Sequence, residues 1–204
     1  MELYDTEEQQ VEAIKDWWKE NGKAVIVGAV VGLGGIFGWR YYQDMQLSAQ
    51  DAASQAYTSA LTTLQAQGSD AAEATQIFIE ANSDSQYSVL AALQLAKAQV
   101  EAGDFDAALA QLQWAKANSK DEAVLPVITF RIARLFAEQE KYDQANAELD
   151  SINSTDWTGR IAELRGDMLL RQGDNDGAYK AYTEAQQQTD ASQMLKVKLD
   201  DLAK

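Results

Sequence analysis

The side chains of this protein that could do chemistry are mostly carboxylates. The chain holds 32 Asp and Glu against 17 Lys and Arg, with no histidine and no cysteine, in 204 residues. Without imidazole or thiol there is no Ser-His-Asp triad, no thiolate nucleophile and no Cys/His metal set. The acids are scattered as on a solvated surface. One stretch, Asp174-Asn175-Asp176-Gly177, is spaced like the start of a calcium loop. Six positions beyond its glycine, where such a loop needs a bidentate Glu, stands Thr183. Ordinary turn chemistry accounts for the stretch better. No glycine-rich phosphate loop follows a strand. A net charge of −15 repels phosphate backbones, so nucleic acid is not expected as a partner. It favours solubility and basic partners. These observations predict a protein that is not an enzyme and holds no cofactor and no metal.

What remains is recognition, and the elements that would position it are helical. One proline in 204 residues, with abundant Ala, Leu, Gln, Glu and Lys, predicts an all-α fold. The most distinctive segment is KAVIVGAVVGLGGIFGWRYY, Lys23 to Tyr42. Ala24 to Trp39 are sixteen uncharged residues, five of them glycine. A full span takes about 20 residues. The Lys23 and Arg40 stems extend this one by reaching the headgroups, and Trp17, Trp18, Trp39, Tyr41 and Tyr42 suit the membrane–water interface. Five glycines argue against a soluble core helix, since each costs about 1 kcal/mol there. The absence of a small-residue cleavage site, and a long acidic lead-in, argue against a cleaved signal. Residues 23–42 therefore read as an uncleaved transmembrane signal anchor. Lys15, Lys19 and Lys23 precede it, and no Lys or Arg follows Arg40 until Lys97. The positive-inside rule then keeps the N-terminus cytoplasmic and carries residues 43–204 across.

Residues 1–22 form a cytoplasmic segment. Thr6 and Gln9 fit a capping box, and Val11, Ile14, Trp17 and Trp18 give the following helix an apolar side for the interface. Within the span, Ala24, Gly28, Gly32 and Gly35 fall on one helical face, with Gly34 and Gly38 beside it. This smooth face suits a transmembrane partner or a second copy.

From Asp44 onward the apolar spacing is helical, with breaks near Gly68, Gly103, Glu140-Lys141 and Gly173. Asp44 to Gln67 reads as a long first helix. Three breaks align without gaps: EAGDFDAALAQLQWA (101–115), EQEKYDQANAELDSI (138–152) and RQGDNDGAYKAYTEA (171–185). The aligned Ala108, Ala145 and Ala178 lie 37 and 33 residues apart. A weaker copy has Leu61, Ala74, Phe78 and Ala81. A helix–turn–helix period near 34 resembles the tetratricopeptide repeat. Leu95, Ala96, Gly103, Phe105, Ala108, Leu112 and Ala115 match its signature in the second unit. Ile132, Ala133, Phe136, Tyr142, Ala145 and Leu149 match in the third. Gly166, Leu169, Gly173, Ala178, Tyr182 and Ala185 match in the fourth. Glu140 stands where glycine is usual, Arg165 where leucine is, and residues 118–126 are extra. Asp190 to Ala203 reads as a capping helix.

Such repeats form solenoids. By resemblance to the repeat, the first helix of each unit lines a concave face. The candidate peptide contacts are Leu93, Lys97, Val100 and Glu101, then Phe130, Arg134 and Glu138, then Glu163, Asp167 and Arg171. Leu90, Val127, Arg160 and Leu170 are neighbouring candidates. This mixture suits an extended peptide or a partner helix.

The whole arrangement is similar to the YfgM family of bacterial inner-membrane proteins. The specific parts are VEAIKDWWKENGK (11–23), the glycine-rich span ending GWRYY, and AELRGDMLLRQGD (162–174). That resemblance implies partners: Sec translocon subunits, a membrane-anchored periplasmic chaperone of the prolyl-isomerase type, and translocating polypeptides. It implies an ancillary role, passing newly translocated proteins to periplasmic chaperones from a single-pass anchor in the inner membrane. A different expectation is a scaffold or regulator of another inner-membrane or cell-envelope signalling complex.

Overall fold

The computed structural model describes residues 7–202. Thr6 of the expected capping box and Ala203 of the expected capping helix lie outside the described residues. Every regular element among the described residues is helical. The chain falls into two compact units, residues 1–52 and 53–204, and each is taken by itself.

Helix α1 runs Glu7–Gln67, so the lead-in, the apolar run and the first helix of the repeats are all helical. In the N-terminal unit the apolar side chains are exposed, among them Val27, Val31, Ile36, Phe37 and Trp39. The helix is long and apolar enough there to cross a membrane. Trp18 folds back over Gly22, whose missing Cβ would stand 3.2 Å from the indole.

The C-terminal unit is a stack of helix pairs. The end of α1 packs on α2 (Ala72–Ala81) and α3 (Gln86–Glu101) through Tyr57, whose ring lies 6.4 Å from Phe78 and 5.5 Å from Tyr87. Then come α3 with α4 (Phe105–Asn118), α5 (Leu125–Glu138) with α6 (Tyr142–Asp150), and α7 (Thr158–Arg171) with α8 (Asn175–Gln186). Helix α9 (Leu195–Leu202) closes the stack against α8.

The turns explain the sequence alignment. Each pair is joined by a residue in the left-handed region: Gly103 (φ 81°), Glu140 (φ 60°) and Gly173 (φ 82°). The next amide donates back across the helix end each time, Asp104 to the Gln99 carbonyl, Lys141 to Phe136 and Asp174 to Leu169. This is the αL helix stop that glycine satisfies without strain. The side chains of Asp104 and Asp174 then cap the following helices, accepting from the Ala107 and Gly177 amides. Asp174 is thus engaged as a helix cap.

Most of the signature residues lie in the core. Ala108, Ala115, Ala133, Ala145, Ala178 and Ala185 are fully buried, where a larger side chain would force the helices apart. Leu95, Leu112, Ile132, Leu149 and Tyr182 fill the gaps between them. The weak first unit departs from the expected register. Ala74 and Ala81 are exposed, and Thr75 and Ile79 are buried in α2 instead. Thr75 tolerates burial because its hydroxyl donates to the Ala71 carbonyl at 2.9 Å.

Polar rungs tie successive units. Gln111 donates to Gln76 (2.7 Å), Lys116 pairs with Glu148 (2.7 Å), Gln139 donates to Asp106 (3.0 Å) and Arg171 pairs with Glu138 (2.7 Å). Their partners lie 35, 32, 33 and 33 residues apart, close to one repeat each.

Candidate peptide groove and anchor face

Helices α3 and α5 face each other across α4, and a groove of about 570 Å³ opens between them. That volume is in the range of ligand pockets, about 300–1,000 Å³. Leu93, Ala96, Val100, Phe105, Leu112 and Leu135 make an apolar floor, and Gln94, Lys97, Glu101, Arg131, Arg134 and Glu138 stand around it. The helical repeat puts every third or fourth side chain of α3 and α5 on this side. The structure therefore gathers Leu93, Lys97, Val100, Glu101, Arg134 and Glu138 of the sequence candidates in one place.

The groove's charges are unevenly matched. Lys97 Nζ lies 3.6 Å from Glu101 Oε1, a pair about two-thirds exposed on both sides and so worth little. Glu138 accepts from Arg171 at 2.7 Å, and Arg171 also donates to the Ala137 carbonyl at 3.1 Å. Arg171 thus acts on the groove's edge through Glu138. Arg131 and Arg134 are exposed and form no ion pair or hydrogen bond with any described residue.

The other candidates are placed elsewhere. Phe130 packs tilted against Trp157, ring centroids 5.4 Å apart, and the Arg160 guanidinium lies 5.0 Å from the same indole. Glu163 and Asp167 face α9. Lys198 Nζ reaches Glu163 Oε1 at 2.8 Å and both Asp167 oxygens at 2.6 and 2.8 Å. Ser192 donates to Glu163 at 2.9 Å, and the buried Tyr182 hydroxyl donates to Asp167 at 2.7 Å. Burial works against the Lys198 ammonium, but the bonds and charges of Asp167 and Glu163 outweigh it and raise its pKa. Burial, reinforced by Asp167, also raises the Tyr182 phenol above its usual 10.0.

Two glycines make this end possible. A Cβ on Gly166 would collide with the Tyr182 ring, and one on Gly159 would stand 2.5 Å from Asp190 Oδ1. With neither present, the Tyr182 ring packs directly against α7 at Gly166. Asp190 accepts from the Gly159 and Arg160 amides at 2.8 and 3.1 Å, a carboxylate at the positive end of that helix.

Sequence reasoning missed Arg131 and the Lys198 clasp. Arg131 was legible, three residues before Arg134 on the same helical side. The clasp joins residues about 30 apart, and no local spacing announces it.

In the N-terminal unit, the space beside Gly28, Gly32, Gly34, Gly35 and Gly38 is open for 4 Å. Among the described residues, no cluster of His, Cys, Asp or Glu is arranged to hold a metal ion.

With the stacked pairs and their groove established, the relatives can be placed. A family model described as a tetratricopeptide repeat-like domain matches residues 15–204. A protein of Escherichia coli (strain K12) named ancillary SecYEG translocon subunit is 37% identical over 207 residues, covering 100% of both chains. The chain belongs to the YfgM family. A family member of the same name from Haemophilus influenzae is 37% identical over 199 residues, with 96% of this chain and 97% of that one covered. One from Neisseria gonorrhoeae is 27% identical over 206 residues, 96% and 97% covered. Among solved structures, the crystal structure of MamA matches at a TM-score of 0.52 and 19% identity, over 72% of this chain and 84% of that one. This last likeness bears on the fold alone.

Proposed function

We propose that this protein is a non-enzymatic, membrane-anchored interaction module of the bacterial inner membrane, ancillary to the Sec translocon. The observation that carries the reading is the identity to ancillary SecYEG translocon subunits along the whole chain, anchor included. The N-terminus stays in the cytoplasm, held by Lys15, Lys19 and Lys23, and the repeats stand in the periplasm. The face of Ala24, Gly28, Gly32 and Gly35 meets a transmembrane helix of the translocon or of a membrane-anchored prolyl-isomerase-type chaperone. The groove between α3 and α5 receives segments of newly translocated polypeptides and helps pass them to periplasmic chaperones.

Site-specific photocrosslinking in intact membranes tests this. A probe at Gly32 is expected to capture a translocon or chaperone helix, and one at Val100 a translocating chain. Adducts from both positions that contain neither would overturn the reading.

A further inference from the structure

We propose that the groove between α3, α4 and α5 selects extended polypeptide segments in which a carboxylate lies beside an apolar side chain. This rests on the peptide-binding reading and adds a charge preference that nothing in the overall composition suggests.

The argument starts from an imbalance. The chain carries a net charge of −15, yet the groove's acids are each already beside a cation, Glu101 near Lys97 and Glu138 bound to Arg171. Arg131 and Arg134 have no such partner among the described residues. They stand one helical turn apart on α5, so their guanidinium groups share one wall of the groove. The contrast with α7 is informative. There the acids Glu163 and Asp167 are satisfied internally by Lys198. On α5 the protein leaves its arginines open.

An unpaired guanidinium presents a planar fork of donors that matches a carboxylate with two parallel bonds. Below the two arginines lies the floor of Leu93, Val100, Phe105 and Leu135. A segment that fits both places one apolar side chain on the floor and one carboxylate against the wall. An extended segment laid along the edge between floor and wall turns successive side chains to different surfaces, one toward the floor and its neighbour toward the wall. Range also matters. At physiological salt the screening length is about 8 Å, so the arginines act only on a docked acid. A long acidic run meets the repulsion of the remaining surface. The selected segment therefore carries one or two acids rather than a polyacidic tract.

The test uses the full-length protein in nanodiscs and fluorescein-labelled short peptides on one Gly/Ser frame, carrying Leu-Asp, Leu-Asn or Ser-Asp, read by anisotropy. The Leu-Asp peptide is expected to bind tightest. Arg131→Gln combined with Arg134→Gln is expected to lower its affinity about tenfold, to the level of the Leu-Asn peptide. Both residues are exposed, and an unchanged melting curve confirms that the variant is folded. Equal affinity of the wild type for Leu-Asp and Leu-Asn overturns the charge preference and leaves the groove reading standing. Absence of binding, or binding that Val100→Gln does not weaken, overturns the groove reading and this proposal with it.

Discussion

Helices α5 and α7 occupy the same place in successive repeats, and their outward charges meet opposite fates. On α7, Glu163 and Asp167 are clasped by Lys198 and backed by Ser192 and Tyr182. On α5, Arg134 and its neighbour Arg131 face a groove with an apolar floor and no partner among the described residues. The repeat puts Arg134 at the position that Asp167 holds in the next unit. What separates them is the next helix in line. Helix α9 lies against the fourth unit and brings a cation to its acids, whereas α7 meets α5 only at its end, where Arg171 pairs with Glu138, and Arg131 and Arg134 have no partner among the described residues. A repeat position thus becomes a site only where the following element leaves it uncovered.

The buried side chains divide in a similar way. Ala162, Ala178, Tyr182, Ala185 and Leu195 form a small cluster, separate from the main core that runs from Leu64 to Met168. The largest expected effect tests this division. Tyr182→Ala removes a fully buried ring from the small cluster and is expected to cost about 3–5 kcal/mol. Hydrogen exchange should then show α8 and α9 losing protection while α3 to α6 keep theirs. Simultaneous loss across all helices would mean that the two clusters unfold as one.

Next in size is Lys198→Met, which leaves Glu163 and Asp167 facing each other without a cation. Lys198 and Asp167 remain partly exposed, so the expected cost is about 1–2 kcal/mol, below that of breaking a fully buried pair. The same contact predicts a pH dependence. The folded pKa of Lys198 lies above its ordinary 10.5, and that of Tyr182 above 10.0. Stability from a raised pKa is complete below the unfolded value and fades as pH rises through the folded one. Thermal melts should therefore hold through mildly alkaline pH and fall beyond it. Lys198→Met should flatten the part of that fall due to the ammonium. An equally steep fall in the variant would place the alkaline loss elsewhere.

The smallest effect concerns the turn before α6. Glu140 adopts φ 60° where the equivalent turns use Gly103 and Gly173. Left-handed backbone costs a side chain about 1–2 kcal/mol, and glycine loses part of that advantage through its freer unfolded chain. Glu140→Gly is expected to stabilise the third unit by about 0.5–1 kcal/mol, measured as a higher denaturant midpoint with an unchanged slope.

The turns and the helix pairs were legible because steric demands leave a local record. A left-handed residue wants glycine, a close helix crossing wants alanine, and three units repeated both at the same offsets. Even the exception at Glu140 was located by alignment. The first unit was harder, since Ala74 and Thr75 are both small and adjacent, and only packing against α3 decides which one turns inward. The groove was half legible for a related reason. Which side of α3 and α5 faces outward follows from helical spacing, whereas the occupation of Glu163 and Asp167 depends on where α9 comes to lie.

The rungs between units have a consequence for how such a chain can change over generations. Gln76–Gln111, Lys116–Glu148, Asp106–Gln139 and Glu138–Arg171 each reach only to a neighbouring unit, across nearly one repeat of sequence. Excising or duplicating a whole repeat rejoins equivalent surfaces and leaves the remaining rungs within their own neighbourhoods. Removing three or four residues from a helix rotates or shortens it against both neighbours at once. Lineages of this protein should therefore differ in length by whole units, or by additions in the connection between α4 and α5, far more readily than by small gaps within a helix.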